Sequence, residues 1–98
     1  MFVHSVYFWL KDDLSDDQRR QMRADTERLV GIETVECGFV GAPADTHGPI
    51  IERTYDLALT LVFQDKPGHD VYATHPQHEA YVARYNSWWK KVLIYDSE

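Results

Sequence analysis

The sequence predicts an α+β domain of the ferredoxin-like kind, with the order β-α-β-β-α-β, and three observations carry that expectation. The chain opens on a β-branched and aromatic segment, Phe2 to Leu10, too short for a typical helix. Tyr55 to Phe63 reads as a second alternating strand, with Tyr55, Leu57, Leu59, Leu61 and Phe63 on one side. Two stretches with helix-start signals and helical spacing fall where a split βαβ unit needs its crossovers. With 98 residues the chain fits one domain, residues 1–98.

The first strand divides into a face of His4, Val6, Phe8 and Leu10 and a face of Val3, Ser5, Tyr7 and Trp9. Ser15 with Gln18 three residues later forms a capping-box pattern, and Asp16 and Asp17 favour the positive end of the helix that follows. Met22, Thr26, Leu29 and Val30 give that helix a narrow inner stripe, and Gly31 ends it. Glu33 to Val40 reads as a weaker strand, with Val35, Cys37 and Phe39 on one side. The prolines and glycines of "GAPADTHGPIIE" make a loop. After the Tyr55 strand come a short helical turn in "KPGHDVYAT" and a longer helix from Pro76 to Trp89. Tyr81, Val82, Tyr85, Trp88 and Trp89 recur there at helical spacing. A last strand runs from Lys91 to Asp96.

Two helical elements cover one face of a four-stranded sheet. The other face also carries apolar groups, Tyr7, Trp9, Ala58 and Val62, which a lone soluble protomer rarely leaves wet. A homodimer with the two sheets face to face is the economical solution. The net charge of −6 argues against a nucleic-acid partner, which needs a basic face. Arg19, Arg20, Arg23 and Arg28 are interleaved with acids and read as a solvated helix face. There is no apolar run near the membrane-spanning length and no leader pattern at Met1, so the expectation is a cytoplasmic protein with no membrane partner. Cys37 stands alone, which rules out an intrachain disulfide, and it is expected in the core.

The segment "DVYATHPQHEAY", Asp70 to Tyr81, holds the chemistry-bearing side chains. The residue before a proline avoids helical geometry, so His75 falls at a cap and Pro76 at the first helical position. His78 then sits in the first turn, where the positive helix end disfavours imidazolium and leaves a neutral base. As a metal set, His69, Asp70, His75 and His78 have Pro76 breaking the helix between the last two, and no H-E-x-x-H or paired-cysteine pattern is present. The expectation is no metal and no cofactor. His47 in the loop has no visible partner.

Together, "HSVYFWLKDDLSDDQ", "YDLALTLVF" and "YATHPQHEAYVARYNSWWKKVLIYD" resemble the stress-responsive A/B barrel (Dabb) family over nearly the whole chain. That resemblance implies a dimeric α/β barrel. The tail is similar to that of the family's plant olivetolic acid cyclase, sharing Tyr72, His75, Pro76, His78, Tyr85, Ser87, Trp89, Lys91, Leu93, Ile94 and Asp96. The resemblance implies Tyr72 and His78 as a catalytic pair and His4 as a pocket residue. A further pocket histidine of the cyclase falls on Leu57 here, which thins the polar half of the pocket. Leu57, Leu59, Phe63 and Tyr81 are the apolar residues expected around a substrate. Two functions remain open: a cofactor-independent cyclase or isomerase acting on an apolar carbonyl compound, or a non-catalytic dimeric module for stress tolerance or small-ligand binding. A cavity faced by Tyr72 and His78 favours the first; Leu57, Phe63 and Tyr81 filling that space favours the second. An oxidoreductase has no haem or flavin motif behind it.

Overall fold

The computed structural model describes residues 1–98. Its elements are β1 (Phe2–Leu10), α1 (Asp16–Arg28), β2 (Val35–Gly41), β3 (Leu57–Phe63), α2 (Lys66–Ala73), α3 (Pro76–Tyr85) and β4 (Trp89–Ser97). The strands form one antiparallel sheet in the order β2-β3-β1-β4, the ferredoxin-like α+β topology expected. The helices lie on one face of the sheet, and none is long and apolar enough to cross a membrane.

Local sequence explains the helix starts. The Ser15 hydroxyl accepts from the Gln18 amide at 3.1 Å while the Gln18 carboxamide accepts from the Ser15 amide at 2.8 Å. Asp65 caps α2 by accepting from the Gly68 amide at 2.9 Å, and His75 caps α3 by accepting from the Gln77 amide at 3.0 Å. Met22 and Thr26 bury the inner face of α1, and Leu29, in the 3-10 turn that follows, extends it. They pack on the inward side of the central strands, where Phe2, Val6, Phe8, Leu57, Leu59, Leu61 and Phe63 form the core.

Four expectations about placement change. A bulge in β2 interrupts its pairing with β3 between Val35 and Cys37. Because side chains alternate along a strand, the extra residue reverses which ones face inward. Val35 points to the core, but Cys37 and Phe39 are exposed and Val40 is buried instead. Gly38 now lies inward, where a Cβ would meet Leu61 Cδ2 at 2.7 Å. Second, Tyr55 does not join the inner face of β3. The Asp56 amide donates to the Phe8 carbonyl at 2.8 Å, β3 begins at Leu57, and the Tyr55 ring lies 5.0 Å from Tyr7 on the opposite face. Third, α3 ends at Tyr85; a 3-10 turn over Asn86–Trp88 follows, and Trp89 opens β4 opposite Leu10. Fourth, Trp9 has cover within its own chain: its indole donates to Thr54 Oγ1 at 2.9 Å, and the Lys91 ammonium sits 4.6 Å above its ring. The loop before β3 supplies Thr54, so the outer face is less bare than its sequence suggests.

Candidate functional site

A cavity of about 160 Å³ lies between the sheet and the two helices of the second crossover. The sheet contributes His4, Val6 and Phe8 from β1, Leu59 from β3, and Trp89, Val92 and Ile94 from β4. The helical side contributes Tyr72 from α2, His78, Tyr81 and Val82 from α3, and Leu29 from the 3-10 turn after α1. Strand register explains the sheet wall: Val6 pairs with Ile94 and Phe8 with Val92, so their side chains share a face.

The structure therefore brings His4, Leu59, Tyr72, His78 and Tyr81 together around one space. Leu57 and Phe63, expected beside them, do not line it. Leu57 sits farther along β3 beside Leu10 and Asp56. Phe63 is wholly buried behind Tyr72, with ring centroids 5.3 Å apart, and supports the wall without touching the space. Sequence reading missed the other lining residues, among them Phe8, Trp89, Val92 and Ile94. The alternation of β4 was the available signal, but using it needs the β1–β4 register.

The aromatic and imidazole rings form a contiguous row. Tyr72 and His78 have centroids 4.6 Å apart, Tyr72 and His4 5.9 Å, and His4 and His69 5.0 Å. His78 Nδ1 lies 3.0 Å from the Ala73 carbonyl. A carbonyl oxygen only accepts, so Nδ1 carries the proton and Nε2 keeps its lone pair in the neutral ring. Burial pushes the His78 pKa below the ordinary histidine value; the Ala73 bond opposes it and the neighbouring His4 adds to it. His4 is also held low by burial, against the opposing influence of Asp96, whose Oδ1 lies 2.5 Å from His4 Nδ1.

Burial pushes the Tyr72 phenol well above its ordinary value, with Tyr81 adding to the shift. Near neutral pH it is a hydroxyl donor, not a phenolate. Tyr81 is held by Thr26, with 2.7 Å between their oxygens, and Thr26 in turn donates to the Met22 carbonyl at 2.7 Å. His75, by contrast, is engaged in architecture: Nδ1 caps α3 and Nε2 lies 3.3 Å from Glu33. His47 has partners after all, Asp45 at 2.7 Å and Arg53 at 3.3 Å, within its own exposed loop.

An apolar cavity with a neutral imidazole base and a neutral phenol donor on adjoining walls can move a proton and stabilise an oxyanion.

No curated protein matches the sequence. Among solved structures, an Arabidopsis thaliana protein superposes with a TM-score of 0.85 at 21% identity, covering 100% of this chain and 94% of that one. A dimeric ferredoxin-like protein of unknown function from Thermobifida fusca gives 0.80 at 21%, covering 98% and 88%. A hydroxynitrile lyase from Passiflora edulis gives 0.82 at 17%, covering 98% and 90%. At these identities the likeness establishes the fold. The model of the Stress responsive A/B Barrel Domain matches residues 2–98, and the chain belongs to that Dabb family.

Proposed function

We propose that this Dabb protein is a homodimeric, cofactor-independent enzyme that rearranges a small apolar carbonyl compound by proton transfer, in the manner of a cyclase or isomerase. The observation that carries the reading is the pairing of His78, its Nδ1 tied to Ala73, with the raised-pKa hydroxyl of Tyr72 around one cavity. His78 Nε2 takes a proton from the carbon alpha to a carbonyl. The electron pair moves onto the carbonyl oxygen, to which Tyr72 donates a hydrogen bond. The enolate carbon then attacks a second carbonyl of the same molecule, and the alkoxide formed takes the proton back from His78. His4, oriented by Asp96, positions the substrate.

The volume of about 160 Å³ suits a single ring, the size of an apolar cavity that accepts benzene, so the reacting segment is short. One structural neighbour is a hydroxynitrile lyase, which supports small-molecule lyase chemistry on this fold. The dimer rests on the outer sheet face, where Tyr7, Trp9, Tyr55, Leu93 and Tyr95 border a groove of about 350 Å³. A neighbour described as dimeric is consistent with it.

The same small volume favours a second reading, a non-catalytic dimeric module, since pockets for drug-sized ligands span roughly 300–1,000 Å³. Turnover on a panel of short poly-β-keto thioesters separates the two. The enzyme reading expects His78→Ala to lose roughly 10²–10⁴ in rate and Tyr72→Phe roughly 10–10³. The double variant should be barely worse than His78→Ala, because both groups act on one step. His78→Ala also gives up the Ala73 hydrogen bond, about 1 kcal/mol of stability, so rates are compared per folded molecule. A wild-type protein inert on the whole panel leaves the module.

A further inference from the structure

Antiparallel pairing of β1 with β4 sets His4 directly opposite Asp96, and α2 lays His69 over the same end of the sheet. The three residues are far apart in sequence, yet each offers one ligand atom and those atoms all lie within 4.8 Å of one another. Two imidazoles and one carboxylate are a common donor set for zinc and for first-row transition metals. We propose that His4, His69 and Asp96 form a divalent transition-metal site at the end of the cavity, with zinc-like preference.

Three observations support a built site over a chance cluster. His69 is held in place: its ring stacks on Phe2 at 4.6 Å and meets Phe63 edge-on at 5.6 Å. Its Nδ1 lies 3.1 Å from Asp70 Oδ1, so Nδ1–H donates to that carboxylate and Nε2 is the free nitrogen. Lys66 fixes Asp70 in turn, at 2.7 Å. A carboxylate holding the far nitrogen of a ligating histidine is the usual outer support of a metal site. Finally, the donors differ in exposure: His4 is buried, His69 half-buried and Asp96 exposed, which leaves an open side for the ion to enter and for a further ligand to bind.

Zinc–ligand bonds of roughly 2.0–2.2 Å place tetrahedral donors about 3.4 Å apart. Binding therefore draws His69 inward and moves the exposed Asp96 carboxylate outward from its 2.5 Å contact with His4 Nδ1, with the ion replacing the hydrogen bond between them. The cavity then meets the ion through His4, the one donor of the three on its wall. The site shares His4 and Asp96 with the proton-transfer reading, but its readout, metal binding, needs no turnover.

The test is titration of the purified full chain with Co²⁺, read by visible absorption, and with Zn²⁺, read by calorimetry. The expected result is one ion per chain with the absorption of a low-coordinate cobalt site. His69→Ala and Asp96→Asn should each weaken binding at least about 10-fold. Asp70→Asn should weaken it by roughly 10–100-fold, the usual cost of losing an outer support. His47→Ala, in the exposed loop with Asp45, should leave affinity unchanged. Circular dichroism checks each fold, and Asp96→Asn, which keeps the side chain's size, carries the reading if His69→Ala does not fold. Absence of stoichiometric binding by the wild type overturns the proposal. So does equal affinity in Asp96→Asn, or loss of binding in His47→Ala.

Discussion

Thr26→Val isolates the polar link that holds α3 against α1 behind the cavity. Thr26 Oγ1 donates to the Met22 carbonyl, so the Tyr81 hydroxyl must be the donor to Thr26. Valine keeps the shape but leaves that hydroxyl buried without an acceptor, since Thr26 is wholly buried and Tyr81 nearly so. The Met22 carbonyl keeps its helical amide partner, so the cost is that of one stranded donor, about 1–3 kcal/mol. At about 2 kcal/mol, a domain of this size should melt roughly 8–16 °C lower. Tyr81→Phe should cost less, because the Thr26 hydroxyl retains the Met22 bond. The decisive measurement is the double variant, followed by urea and thermal unfolding. With both partners gone nothing is stranded, so Thr26→Val/Tyr81→Phe should recover at least half of the loss seen in Thr26→Val. Additive losses, or a Thr26→Val protein as stable as wild type, would refute the assigned donor direction and the burial argument together.

Acid should act through the two buried histidines. Burial holds His78 and His4 below the ordinary value of 6.5, so the unfolded chain binds more protons than the folded one between those pKa values. Stability should be at its plateau above pH 6.5 and fall as pH drops through that window, with urea midpoints at pH 7.5 and 5 as the check. A pH–rate profile should lose its activity on the acid side below the ordinary histidine range, as His78 Nε2 gains a proton; a flat profile from pH 5 to 8 removes His78 as base. Tyr95→Asp places a carboxylate on the outer sheet groove and should shift the protein from dimer to monomer in sedimentation, with the protomer still folded. Trp9→Asp is the poorer probe, because its indole also holds Thr54 within the chain. Ser15→Ala breaks the capping box and should cost about 0.5–2 kcal/mol in thermal unfolding.

What the sequence made legible follows from the range of the interactions involved. The capping box at Ser15 and Gln18, the His75-Pro76 helix start and the alternation of β1 are local patterns, and each is present as read. Cys37 was misplaced because a single extra residue in β2 inverts the faces, and no local signal marks a bulge beyond the neighbouring Gly38. Tyr55 was misplaced because the bond from the Asp56 amide to Phe8 that ends its alternation comes from a different strand. The site divides the same way. Tyr72 and His78 belong to one short segment and stand out together. The His4–Asp96 pair spans almost the whole chain and becomes visible through the β1–β4 register.

The order β2-β3-β1-β4 leaves two rims of the sheet, along β2 and along β4, with backbone groups turned to the outside. Such rims are templates onto which further strands can add, the usual beginning of fibrous aggregates. Here both are blunted. The bulge between Val35 and Cys37 breaks the regular spacing that an incoming strand would need along β2. Along β4, Lys90, Lys91 and Asp96 place charge in the path of a neighbour. Growth by strand addition is disfavoured at both rims. The irregularity that turns Cys37 outward therefore also guards the β2 rim against strand addition.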